Sequence, residues 1–505
     1  MASVLQEFHL ILRPRNKSKI NIVTRVLFLA AELWNILVGY AIGRDFHPGG
    51  TVSSDTITET IDQNSNTDVI TTEEIAVSSA DSSLFQSFWI GGFECSTHRL
   101  SRRKALGRFA GVRLDLIAAT RHDEFVVQDY ERLQQVGIRT ARDGVRWHLI
   151  EKNASRYDFS SLVPMLRAAR ETQTQVVWDL FHYGWPDGLN IWGAAFVDRF
   201  ARFARATASV ILEETGSPIY VTPVNEISFV AWGGGDAGFL NPFAKHRGHE
   251  MKAQLVRAAI AATQAVREVD PNARICWCEP IIHIAPDPDH PEDASAAEGY
   301  RRSQFQAWDM IAGTFCPELG GRPEYLDIVG VNYYSNNQWI HQDPNLPPSR
   351  RRKDTLLPPS HPLHRPIREM LHEVYDRYRR PVFIAETGIE GDARPSWLRY
   401  IGQESRAAAA AGVPLEGLCL YPIIDYPGWG DDRHCYSGLW GYANDEGDRE
   451  IYEPLALELA HQRHLWTVQR RDHVALEEAV NIDQLDEAAR EVDVAATRSR
   501  TTRRE

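Results

Sequence analysis

Two glutamates, Glu226 and Glu386, each close a short apolar run, in Tyr220-Val-Thr-Pro-Val-Asn-Glu226 and Pro381-Val-Phe-Ile-Ala-Glu386-Thr-Gly. Glutamate is a poor strand former, and a carboxylate set against a packed core must be paired, hydrated or used. In a barrel of parallel strands the C-terminal ends converge on one mouth, so two such residues can face each other across it. A facing pair of carboxyls suffices to cleave a glycosidic bond. One protonates the leaving oxygen while the other attacks the sugar carbon or activates water.

Strand-like and helix-like segments alternate between residues 85 and 466 and would position that pair. Strands are expected at 88–93, 138–142, 175–181, 218–224, 274–278, 327–333, 381–385 and 417–421. Helical patterns separate them, over 124–136, 194–213, 251–269, 363–378 and 397–411. Eight strands alternating with helices predict an α/β fold, a closed (β/α)8 TIM barrel. A doubly wound open sheet is the alternative, but Gly91-Gly92 before Glu94 is not its phosphate-binding turn.

The ends of the chain read differently. Residues 1–49 form an N-terminal extension in which Arg13, Arg15, Lys17 and Lys19 precede an apolar stretch at 20–43. That stretch has the look of a signal anchor or membrane-surface helix, yet Glu32 and Asn35 fall in mid-span, which favours a local helix. Residues 50–84 read as a polar disordered linker, 85–466 as the barrel and 467–505 as a charged tail. A net charge of −13 argues against a nucleic-acid partner. Six cysteines in 505 residues, with no CxxC pair, fit a reducing compartment such as the cytoplasm rather than a disulfide framework. His246 and His249 lack a third ligand, so no metal site is expected, and no cofactor.

Several segments resemble the family 1 glycoside hydrolases, the β-glucosidase family of retaining barrel glycosidases. The resemblance covers roughly residues 85–465. Thr222-Pro-Val-Asn225-Glu226 is similar to the fourth-strand motif, implying Glu226 as acid/base and Asn225 as a ligand of the sugar 2-hydroxyl. Ile384-Ala-Glu386-Thr-Gly388 resembles the seventh-strand motif that carries the nucleophile. Arg142 is similarly placed beside that nucleophile, His182 against the sugar and Tyr334 as a hydrogen-bond donor to the nucleophile. Tyr421-Pro-Ile-Ile-Asp425-Tyr-Pro-Gly-Trp429 parallels the eighth strand and its loop, which implies Trp429 as a substrate contact. The implied activity is hydrolysis of a small β-glycoside or oligosaccharide with retained configuration. Transfer to another sugar, or carbohydrate binding without turnover, would use the same barrel.

The residue types suit that chemistry on their own terms. A cation and a phenol near a nucleophilic carboxylate favour its charged form, whereas a general acid needs drier or more anionic surroundings. Each type also has a plainer reading. Arg142 could pair with Asp143 or Glu226, Tyr334 could be core with Tyr333 inward, and His182 could be structural. Asp179 and Asp425 read as structural partners. The sequence also departs from the family: Glu94-Cys-Ser-Thr-His98 stands where a sugar-gripping Gln is usual, Gly428 replaces a Glu, and Tyr421 replaces a Trp. The identity of the sugar is therefore not carried over.

Overall fold

Eight parallel strands close on one another. They are β1 (Trp89–Gly92), β2 (Thr140–Gly144), β3 (Gln175–Asp179), β4 (Tyr220–Thr222), β5 (Arg274–Pro280), β6 (Ile328–Asn332), β7 (Val382–Thr387) and β8 (Leu415–Leu420). Sequential neighbours pair throughout, and β1 pairs with β8 to complete the barrel. The computed structural model describes residues 84–100, 112–343, 352, 354–429 and 433–471. The readings placed on 1–83 and on the tail beyond 471 lie outside them. The barrel belongs to one unit, Ile75–His341 with Asp354–Glu505.

Strand parity sorts the side chains into two layers, as a period of two requires. Ile90, Val177, Tyr220, Cys276, Cys278, Ile328, Phe383, Ala385 and Cys419 fill the barrel interior. Their neighbours Trp89, Trp178, Val221, Ile275, Trp277, Val329 and Ile384 join the outer core beneath the helices. The expected helices form as Val126–Gln135, Ala194–Thr215, Gly248–Val269, Ile367–Tyr378 and Arg394–Ala410. Shorter ones at Val163–Glu171 and Gln306–Ile311 complete the alternation. A last helix over 453–471 buries Leu455, Leu459 and Trp466, with the Trp466 ring stacked on Phe88 at 3.5 Å between centroids. No described helix is long and apolar enough to cross a membrane.

Two backbone irregularities at the C-terminal mouth of the barrel set the direction of the two glutamates. β7 carries a bulge: Val331 pairs with Ile384, but Asn332 pairs with Glu386, so Ala385 is skipped. Simple alternation would place Phe383 and Ala385 inward and Glu386 outward. The extra residue turns Glu386 into the mouth and sends Thr387 out, where its hydroxyl accepts a hydrogen bond from Trp397 Nε1 at 2.9 Å. Beyond β4, Glu226 sits in the left-handed region at φ 49°, immediately before the short helix Ile227–Val230.

Candidate active site

Arg142, on β2, organises the mouth. Its side chain is fully buried and all five of its N–H donors are used. Nε and Nη2 clasp the two oxygens of Asp179 at 3.1 and 2.8 Å. Nη2 also reaches Asn225 Oδ1 at 2.7 Å, while Nη1 donates to the Ala385 carbonyl at 3.1 Å and to Glu386 Oε1 at 2.7 Å. One guanidinium thus ties β2, β3, β7 and the segment after β4 together. Asp143, the alternative partner, points outward and accepts from His122 and Tyr130 instead.

Glu386 takes a second donor on its other oxygen, the Tyr334 hydroxyl at 2.8 Å. Each oxygen of Glu386 thus accepts one charge-favouring bond, one of them from a permanent cation. Tyr334 is therefore the tyrosine over the mouth, and Tyr333 turns out to stack on Trp397.

Glu226 lives in a different environment. Asn332 Nδ2 donates to its Oε1 at 3.0 Å, and the Tyr183 hydroxyl donates to its Oε2. Burial and the neighbouring Glu386 charge outweigh those two donors and push the Glu226 carboxyl up to about 8. Tyr183 itself has φ 64°, so both partners of this bond occupy backbone conformations that non-glycine residues rarely adopt. Such strain persists only where surrounding contacts enforce it, and here the Glu226 N–H is bonded to the Cys278 carbonyl at 2.9 Å.

Below Glu226 lies another buried carboxyl. Glu279, at the end of β5 and facing outward, accepts the Ser228 N–H at 3.0 Å, capping the short helix that follows Glu226. Burial pushes it up to about 7, against the Ser228 N–H and the Lys252 charge.

Asn225 and His182 continue the network. Asn225 Nδ2 reaches His182 Nε2 at 3.1 Å and the Tyr183 hydroxyl at 3.3 Å, and His182 Nδ1 meets Asp179 Oδ2 at 2.9 Å. Assigning the His182 proton to Nδ1 satisfies both bonds. Trp429 borders the same space, its ring 5.4 Å from Tyr183 and 5.1 Å from His98. All seven residues singled out in the sequence, Glu226, Glu386, Arg142, His182, Asn225, Tyr334 and Trp429, thus meet at one mouth. Trp147 and Trp185, the tryptophans that follow β2 and β3 in the chain, lie away from it and pack among Phe181, Phe196, Phe200 and Phe203. Sequence reasoning passed over Tyr183, Asn332 and Glu279. Tyr183 follows His182 directly and Asn332 precedes Tyr333-Tyr334, so adjacency to candidate residues was the signal for both.

Cys95, Asp179 and His182 place possible metal-ligand atoms within 4.8 Å of one another. Both Asp179 oxygens are already held by Arg142, so a cation there would stand beside a guanidinium with its carboxylate spoken for. The donor set does not suit a metal.

No protein-family model matches the chain, and no curated protein matches it. Solved structures do. A family 1 β-glucosidase from Thermotoga maritima superposes with a TM-score of 0.60 at 17% identity, over 74% of this chain and 96% of that one. The same enzyme in complex with deoxynojirimycin gives 0.58 at 17% identity, over 74% and 96%. The AHE enzyme from Alicyclobacillus herbarius gives 0.62 at 16%, over 75% and 98%. The structural neighbours of this chain thus include family 1 β-glucosidases, and at these identities the likeness it shares with them is that of the closed (β/α)8 barrel.

Proposed function

We propose that the chain is a retaining β-glycosidase in which Glu386 is the nucleophile and Glu226 the acid/base. The observation that carries this reading is the contrast between the two carboxyls. Glu386 is presented as an acceptor by Arg142 and Tyr334, whereas Glu226 is held protonated near neutral pH by burial and by the charge opposite. In the first step a Glu386 oxygen bonds the anomeric carbon as the bond to the leaving oxygen breaks, and Glu226 gives that oxygen its proton. Glu226, now a carboxylate, takes a proton from water, whose oxygen displaces Glu386 and restores the starting enzyme. Two inversions retain configuration.

Arg142, His182, Asn225, Tyr334 and Trp429 hold the glycone in this scheme, and no cofactor or metal takes part. The partner is a small glycoside or oligosaccharide, in keeping with the deoxynojirimycin bound by one structural neighbour. Six unpaired thiols fit a reducing compartment. The test is a panel of 4-nitrophenyl β-glycosides (glucoside, galactoside, fucoside, xyloside, mannoside, glucuronide) with wild type and Glu386→Ala. Wild type should release nitrophenol from at least one, with a β-configured first product by NMR, and Glu386→Ala should not. Silence of folded wild type across the panel sinks the proposal.

A further inference from the structure

Glu226 is the N-cap residue of the short helix Ile227–Val230, yet its side chain makes no capping hydrogen bond. An N-cap side chain ordinarily accepts the N–H of the second or third helical residue, donors that a helix start leaves open. Here the Glu226 carboxyl is turned into the mouth, toward Asn332 and Tyr183. The second helical residue is Ser228, and its N–H goes to Glu279 instead, at 3.0 and 3.3 Å from the two carboxyl oxygens. The residue before Glu279 holds the same turn, since the Cys278 carbonyl accepts the Glu226 N–H at 2.9 Å. Two successive residues of β5 thus fasten the turn that carries Glu226, one through its backbone and one through its side chain.

A carboxyl is a costly choice for that task. Glu279 is 2% exposed and lies among Val224, Ile227, Trp277, Ala307, Trp308 and Ile311, outside the barrel wall. A neutral acceptor would serve the Ser228 N–H without burying an ionisable group. Among the described residues no cation forms an ion pair with it. The Lys252 charge reaches it from the helix Gly248–Val269, but the Lys252 ammonium donates to Gln306 Oε1 at 2.9 Å, and Lys252 feels Asp236 as well. Glu226 in turn faces Glu386 on β7, Tyr183 beyond β3, Asn332 and Tyr334 at the end of β6, and Glu279 behind it. In the two-step scheme Glu386 loses its charge when it bonds the sugar. Glu279, outside the wall, keeps its own.

We propose that Glu279 is a positioning residue for the acid/base: it takes the cap that the backbone would otherwise ask of Glu226, which leaves the Glu226 carboxyl free to face the mouth, and it sets a negative charge behind that carboxyl. The inference rests on the glycosidase reading for its account of turnover, and on the structure alone for the pairing of the two carboxyls.

The experiment uses the full chain as wild type, Glu279→Gln and Glu279→Ala. Glutamine keeps the shape and an acceptor oxygen but not the charge, and alanine keeps neither. The Glu226 carboxyl is titrated by 13C NMR in protein labelled with [5-13C]glutamate, without substrate, its signal assigned by loss in Glu226→Gln. The Glu226 midpoint should move to lower pH in Glu279→Gln, because a like charge that opposed its ionisation is gone. The alkaline limb of kcat/KM should move the same way. Glu279→Ala should lower kcat on alkyl glycosides by about 10- to 100-fold, and much less on 4-nitrophenyl glycosides, because only the former need a well-aimed proton. A purely structural cap predicts equal losses on both substrate types and no movement of the midpoint. Either an unmoved midpoint in Glu279→Gln or equal losses in Glu279→Ala overturns the proposal. Should Glu279→Ala fail to fold, the midpoint in Glu279→Gln decides alone. If wild type cleaves nothing, the hydrolase reading falls, and the NMR midpoint still decides whether Glu279 acts on Glu226.

Discussion

At the scale of single residues, the mouth gives two chemically identical side chains different surroundings. If Glu226 must be protonated to act, the alkaline limb of kcat/KM should fall near pH 8. The Tyr183 hydroxyl favours the ionised form of Glu226, so Tyr183→Phe should move that limb to higher pH. A limb that stays put or moves down would assign it to another group. Glu226→Gln should slow alkyl glycosides by about 10²- to 10⁴-fold and leave glycosylation by 4-nitrophenyl substrates much less affected, because nitrophenolate leaves without a proton. Stopped-flow bursts on the two substrate types separate these cases. Arg142→Met strands Asp179 with one partner lost, and breaking a buried pair costs about 3–5 kcal/mol. Urea unfolding should show that loss whether or not a substrate is present.

At the scale of elements, most of the barrel was legible because its strands alternate and its helices are amphipathic. All eight strands form within a few residues of their expected positions, and the five expected helices form as well. What the period of two could not show is the bulge at Ala385. Alternation alone would have aimed Glu386 at the helices, and only the register against Asn332 turns it inward. Glu226 was equally opaque, since its left-handed backbone is imposed by contacts with the β5 segment far along the chain. Glu94 stood out in the sequence only as a departure from a motif, and its bond from the Ser96 N–H was visible only once that turn had been placed. The helix over 453–471 acts as a plug against β1. Trp466 is 3% exposed, and Trp466→Ala should destabilise by about 3–5 kcal/mol with little change in KM. A lowered denaturation midpoint with intact turnover per folded molecule would verify that division between scaffold and mouth.

At the scale of the whole molecule, stability and pH are linked through groups buried with the wrong charge preference. Glu226 and Glu279 keep protons in the folded chain up to about 8 and 7, whereas the unfolded chain releases them near 4.5. Burial opposes the charging of His122, but Asp143 and Asp129 lift it to about 9 from 6.5, so its ion pairs are present below that range and lost through it. Above pH 6.5 all three make the native state bind more protons than the unfolded one, and stability falls as pH rises. His98, lowered to about 4 by burial, tilts the other way only below 6.5. Calorimetry should therefore find a lower melting temperature at about pH 9 than at about pH 6.5, and Glu226→Gln should narrow the difference.

The seam between β1 and β8 has a consequence for how the chain is made. The first strand ends at Gly92 and its partner at Leu420, so a ribosome works on the order of tens of seconds between delivering the two. Throughout that interval the nascent sheet has an unpaired edge at each side, and an unpaired edge invites pairing with other chains. Arg142 meanwhile waits for Glu386, its ionic partner from the seventh strand. The growing chain thus carries a half-built pocket through most of its synthesis.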